Sequence, residues 1–201
     1  MRPITDHTPR RQGGLTLIEV LVTVVILLIG LLGMAILLAS SQKTESESYQ
    51  RAQALLLLQD MATRISANRA VANCYAITDA GAGAPFLGTD SALMIPGPPP
   101  ACGVGTVAAY TLADQDLLDW HELLLGATET LGGEDVGTLT GARGCVTEDA
   151  SDPDNPVYTI SIAWQGLSET ADPVDPCGEG EYGDERLRRV VSMVVQIANL
   201  N

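Results

Sequence analysis

Gly13-Gly14-Leu15-Thr16-Leu17-Ile18-Glu19, continued by the apolar run from Val20 to Ala39, is the stretch that decides the fold. No charged side chain occurs between Glu19 and Lys43. At about 1.5 Å rise per residue, a helix over this stretch crosses the roughly 30 Å hydrocarbon core of a bilayer. Glu19 is the exception, because a carboxylate in an apolar helix costs at least ~2.5 kcal/mol on insertion scales and calls for a partner or a task. A secretory signal cut near Ala39-Ser40-Ser41 fits poorly: such signals have an apolar core of about 7–15 residues without an acid. A plain anchor leaves Glu19 without a reason.

The flanks set the orientation. Arg10 and Arg11 precede the span, while Lys43, Glu45, Glu47 and Arg51 follow it, so the N-terminus is expected on the cytoplasmic side and the rest of the chain outside the membrane. The 201 residues, less the leader and span, suffice for one soluble domain with its own core. The net charge of −14 repels phosphate backbones, so direct nucleic-acid binding is not expected.

From Gln42 to Ala70 there is no Gly or Pro, and Leu55, Leu58, Ala62 and Ile65 recur at helical spacing. Gln53, Asp60, Arg64 and Asn68 take the other face. The helix is therefore expected to continue out of the membrane, with Leu55-Leu56-Leu57-Leu58 in the core. Residues 71–110 carry Gly81, Gly83, Pro85, Pro96, Gly97 and Pro98-Pro99-Pro100, which marks a loop-rich connection. A second helix is predicted from Leu112 to Leu125, opened by Thr111 with Asp114 three residues on and burying Leu117, Trp120 and Leu124. His121 within it reads as a packing or surface residue. Strands are predicted over Gly141–Thr147, Val157–Gln165 and Arg189–Ala198, the last two alternating with a period of two. Strands laid on one long helix make an α+β domain with an antiparallel sheet.

Outside the inner membrane, cysteines are expected to pair. Four cysteines allow three pairings. Cys74 with Cys102 and Cys145 with Cys177 is the expectation, since each pair brackets one section of the chain. No pair has zinc-knuckle spacing, and the sequence offers no phosphate loop, G-x-S-x-G or H-E-x-x-H. No catalytic residue, metal or cofactor is assigned. The acidic cluster Glu148, Asp149, Asp152, Asp154 and Asn155 suits a solvated turn as well as Ca²⁺, and its spacing is not that of an EF-hand.

A basic leader ending in Gly, then an apolar residue, a Thr, two further apolar residues and Glu resembles the signal of type IV pilins and their relatives. The resemblance implies a pilin-like fold and cleavage by prepilin peptidase between Gly14 and Leu15, with methylation of the new N-terminus. It implies that Glu19 pairs with the N-terminal amine of a neighbouring subunit during docking. The domains are then a cleaved leader 1–14, the transmembrane half of the helix 15–42, and a periplasmic pilin-like domain 43–201 on a single-pass inner-membrane anchor. Leu15 stands where Phe is commoner. Later motifs resemble the type IV pilus modification protein PilV family of minor pilins: Met61-Ala62-x-Arg64-Ile65-x-Ala67-Asn68-Arg69, Asp116-x-x-Asp119-Trp120, the strand from Tyr158 to Gln165, and Arg188-Arg189-Val190-Val191. That resemblance implies a subunit that primes pilus assembly, with other minor pilins, the major pilin and the inner-membrane assembly platform as partners and a tip adhesin as a further candidate. A pseudopilin of type II secretion shares the signal and helix and remains the alternative.

Overall fold

One unbroken helix, α1 (Leu17–Ala67), runs through the charge-free stretch and past Lys43. The structure, a computed structural model, describes residues 14, 16–91, 105–126, 130–131, 134–135, 139–152 and 155–197. The chain divides into two units, residues 1–44 and 45–201. In the first, every described residue is exposed, and the segment has the length and composition needed to cross a membrane. Gly30 and Gly33 sit in continuous helix with open space beside them, so they interrupt nothing here.

In the second unit the buried stripe of α1 is Ala54, Leu58, Met61 and Ile65. This corrects the expected placement of the leucine run. Only Leu58 of the four is in the core; Leu57 packs against it, and Leu55 and Leu56 remain 41% and 58% exposed. Consecutive residues point around a helix at about 3.6 per turn, so four leucines in a row cannot share one face.

A 3-10 helix follows at Arg69–Tyr75, then the two-residue strand β1 (Leu87–Gly88). Helix α2 spans Val107–Leu125, five residues longer at its start than predicted. Its cap is Thr106, whose hydroxyl accepts from the Ala109 N–H at 3.3 Å. Thr111, the predicted cap, is inside the helix and donates its hydroxyl to the Val107 carbonyl at 3.0 Å. Gly126 ends α2 in the left-handed conformation at φ 80°.

A two-stranded ribbon, β2 (Thr130–Leu131) with β3 (Glu134–Asp135), precedes β4 (Arg143–Asp149), β5 (Val157–Gln165) and β6 (Arg188–Gln196). The main sheet is antiparallel in the order β1-β4-β5-β6, with Ile160 opposite both Val146 and Met193. The fold is thus α+β, a long N-terminal helix on a small antiparallel sheet. Its core joins the α1 stripe to Leu117, Trp120 and Leu124 of α2 and to Val146, Tyr158, Ile160 and Ile162. Residues 160–164 of β5 are buried in succession, which differs from the half-buried strand expected. The cause is a second cluster on the other face, where Cys145, Ala163, Cys177, Phe86 and Tyr182 gather. The loop after β5 covers that face.

Candidate functional site

The pieces that hold the 45–201 unit together are polar as well as apolar. Arg64 near the end of α1 donates to Asp60 at 2.7 Å, to Asp116 of α2 at 2.8 Å and to Asp119 at 3.3 Å. The Tyr75 hydroxyl donates to the other oxygen of Asp116 at 2.5 Å. Asn68 donates to the Tyr75 oxygen at 3.2 Å and to the Ala109 carbonyl at 2.9 Å. Burial, reinforced by Asp116, raises the Tyr75 phenol above its ordinary range. Trp120 donates its indole N–H to the Leu57 carbonyl at 3.1 Å. A Cβ at Gly144 would stand 2.4 Å from the Trp120 ring, so only glycine admits this packing. Arg64 and Asn68, expected on the face opposite the apolar stripe, thus reach α2, and Asp60 braces Arg64 from within α1. The Met61–Arg69 and Asp116–Trp120 motifs of the sequence meet here.

His121 faces β1, where its Nδ1 accepts from the Gly88 N–H at 3.0 Å. It anchors a strand end by packing and one hydrogen bond.

On the far face of the sheet Cys145 of β4 is bonded to Cys177, with Cα atoms 5.9 Å apart. Cys74 is disulfide-bonded as well; Cys102, its expected partner, lies outside the described residues. Next to the Cys145 bridge, buried Arg143 lies between the rings of Phe86 at 5.2 Å and Tyr182 at 4.8 Å, and reaches Asp90 at 2.9 Å. Burial pushes the Tyr182 phenol up to about 12, against the opposing effect of Arg143. Arg188, also buried, donates to the Cys177 carbonyl at 3.0 Å and pairs with Glu185. An open groove of about 410 Å³ runs past the bridge between Thr147, Thr159, Ser161 and Asp175. The Asp175 carboxylate is taken up by the hydroxyls of Ser161 and Ser192, each at 2.5 Å. Of the acidic cluster, Glu148 and Asp149 are the last residues of β4: Glu148 accepts from the Tyr158 hydroxyl at 2.9 Å and Asp149 from the Ser151 N–H at 3.0 Å. That bond to Ser151 lowers the Asp149 carboxyl below its ordinary value. Asp154 lies outside the described residues.

At the N-terminal end, Gly14 is exposed with open space where a side chain would stand, and Leu15 lies outside the described residues. Thr16 precedes the first turn of α1 and caps it: its hydroxyl accepts from the Glu19 N–H at 3.3 Å and its carbonyl accepts from the same N–H at 3.1 Å. Glu19 lies in the first turn, exposed, at the point where a negative charge favours a helix N-terminus. Residues 9–35 match the prokaryotic N-terminal methylation motif. The match supports a pilin-type protein, pilin or pseudopilin, and with the long apolar helix it is consistent with membrane anchoring. No curated protein and no solved structure matches the chain.

Sequence reasoning passed over the Thr16 cap, although Thr16-x-x-Glu19 has the spacing of a capping box. It also passed over Arg143, Arg188 and Arg64 as interior residues. Each becomes legible only when the loop or helix that supplies its carboxylate is in place.

Proposed function

We propose that this chain is a minor pilin that takes part in initiating type IV pilus assembly. The methylation motif at residues 9–35, running directly into a helix with a fully exposed apolar half, carries the reading. In this reading prepilin peptidase cuts between Gly14 and Leu15, Leu15 is methylated, and residues 15–42 stay in the bacterial inner membrane with residues 43–201 in the periplasm. Glu19 then meets the N-terminal amine of a neighbouring subunit. A buried charge pair offsets a desolvation penalty that either charge alone would retain, and so sets register during docking. The chain is a structural subunit in this account. It works with other minor pilins, the major pilin and the assembly platform, and the α1–α2 network around Arg64 and Asp116 keeps its head rigid while it docks. The motif resembling the PilV family narrows the role to priming.

Co-purification tests the role: the 201-residue chain, co-expressed with the minor pilins of its own organism, is expected to form a defined complex with them. Pairing with secretion-system pseudopilins in their place would favour the type II secretion reading, which the same motif supports.

A further inference from the structure

Arg188 is the first residue of β6, opposite Gln165 of β5, and is 2% exposed. Its Nε pairs with Glu185. Nη1 donates to the Asp175 carbonyl at 2.6 Å and to the Cys177 carbonyl at 3.0 Å, and Nη2 donates to the Pro173 carbonyl at 3.3 Å. Three carbonyls from alternate residues of the loop after β5 thus converge on one guanidinium, whose planar fork of donors a single ammonium could not reproduce. A buried guanidinium costs stability unless its donors are met, so the loop and Arg188 hold each other in place.

The Asp175 side chain completes the hold. Its Oδ1 accepts from the Cys177 N–H at 2.9 Å, and its Oδ2 accepts from the hydroxyls of Ser161 and Ser192 at 2.5 Å each. Cys145, Ser161 and Ser192 stand opposite one another in register across β4, β5 and β6. The backbone N–H and carbonyl of Cys177 are therefore both fixed, by groups rooted in β5 and β6, beside the row that carries Cys145. None of these hydrogen bonds passes through a sulfur atom, so they can form before the bridge does.

We propose that Arg188 and Asp175 are positioning residues for the Cys145–Cys177 bridge, so that the bond closes on a sheet already completed by β6. Both cysteines precede Arg188 in the chain, and the seat for Cys177 exists only once pairing of β6 has brought Arg188 beside β5. In the oxidation, one cysteine thiolate attacks a disulfide-bearing oxidant, forming a mixed disulfide and expelling one thiolate. The other cysteine thiolate then attacks the protein sulfur of that mixed disulfide and expels the second. The two cysteine protons end on the two expelled thiols, and the electrons lost by the protein reduce the S–S bond of the oxidant. The seat acts on the second attack, which needs one cysteine sulfur within reach of the other. The same loop carries Ser168, whose hydroxyl donates to Glu47 of α1, so closing the bridge on a finished sheet also secures the contact with the helix. The inference goes beyond the priming role. It is tested on the purified chain, so its failure is distinct from failure of that role.

For the test, the full chain in detergent micelles is equilibrated with mixtures of oxidised and reduced glutathione, quenched with an alkylating agent and mapped for the Cys145–Cys177 bridge. The glutathione ratio at half-closure gives the effective concentration of one thiol at the other. Arg188→Ala is expected to lower it about ten-fold with an unchanged circular dichroism spectrum, the scale set by losing hydrogen bonds from a charged group. In concentrated urea, where the seat is gone, wild type and Arg188→Ala are expected to agree. Asp116→Ala, which weakens the α1–α2 side and leaves the seat intact, is expected to match wild type in micelles. An unchanged value in Arg188→Ala, a difference that persists in urea, or an equal fall in Asp116→Ala would each overturn the proposal. Should Arg188→Ala not fold, Ser161→Ala/Ser192→Ala decides, because it frees Asp175 and keeps Arg188: a fall supports the proposal and an unchanged value overturns it.

Discussion

The hydroxyl of Thr16 accepts a hydrogen bond of 3.3 Å from the backbone N–H of Glu19, so the one acid of the apolar segment sits three residues inside a capped helix start. The cap takes the Glu19 backbone N–H, while the side chain carries the charge, so the two can be separated by substitution. Gln serves a capping box as well as Glu does but brings no charge. Glu19→Gln is expected to keep the first turn and insert in the membrane, yet fail to assemble; Thr16→Ala is expected to fray the turn by about 1 kcal/mol. Piliation assays with hydrogen exchange on the first turn separate the two. Wild-type piliation by Glu19→Gln would remove the docking role from this carboxylate.

The Arg64–Asp116–Tyr75 network predicts a graded loss of stability. Asp116→Ala removes the nearer of the two α2 carboxylates that Arg64 reaches and the acceptor of the Tyr75 hydroxyl, in a site where Arg64 is only 22% exposed, and is expected to cost about 3 kcal/mol. Tyr75→Phe removes one hydrogen bond to a charged group and is expected to cost about 1.5 kcal/mol. Urea unfolding reads both. The double variant Arg64→Ala/Asp116→Ala should lose less than the sum of its singles, because the residues are in contact. Strict additivity would mean that the network is not a unit.

Three buried phenols set a stability limit at high pH. Burial raises Tyr75, Tyr158 and Tyr182, the last to about 12 from an ordinary value of 10.0. A phenol raised in the folded state contributes stability that is fully present below its unfolded value near 10 and is lost as pH climbs toward the folded value. Melting temperature is therefore expected to hold steady to about pH 9 and to fall above pH 10. A melting temperature that rises between pH 10 and 11.5 would contradict the burial of these rings.

Cys145 and Cys177 are separated by 32 residues, a loop size for which chain entropy gives roughly 3–4 kcal/mol. Reduction is expected to lower the melting temperature, and a chelator to leave it unchanged. Because the bridge holds the covering loop on the outer face of β5, the Cys145→Ser/Cys177→Ser variant should also bind a hydrophobic dye near Ala163. Peptide mapping under non-reducing conditions that joined Cys74 to Cys145 would contradict this pairing.

How much could be read from sequence follows from how local each cause is. The long helix was legible because Val20–Ala39 excludes charge and residues 42–70 exclude breakers. β5 and β6 were legible because two-residue alternation is written within each strand. Which side of α1 is wet was not, since Arg64 and Asn68 are polar yet bond to α2, whose Asp116, Asp119 and Ala109 carbonyl lie about fifty positions away in sequence. The start of α2 was missed by five residues because Thr106 and Thr111 are both competent caps, and choosing between them needs the contacts of Ala113 and Tyr110 with the core. The unbroken burial of residues 160–164 in β5 was missed because the covering loop contains no periodic pattern at all.

The proposed pilin role depends on cleavage of the bond between Gly14 and Leu15, which intact-mass analysis of the protein recovered from its native membrane reads out. The predicted result is a chain lacking residues 1–14 and bearing one methyl group on Leu15. A mass that still includes the leader, or an N-terminus near Ser41, would contradict it.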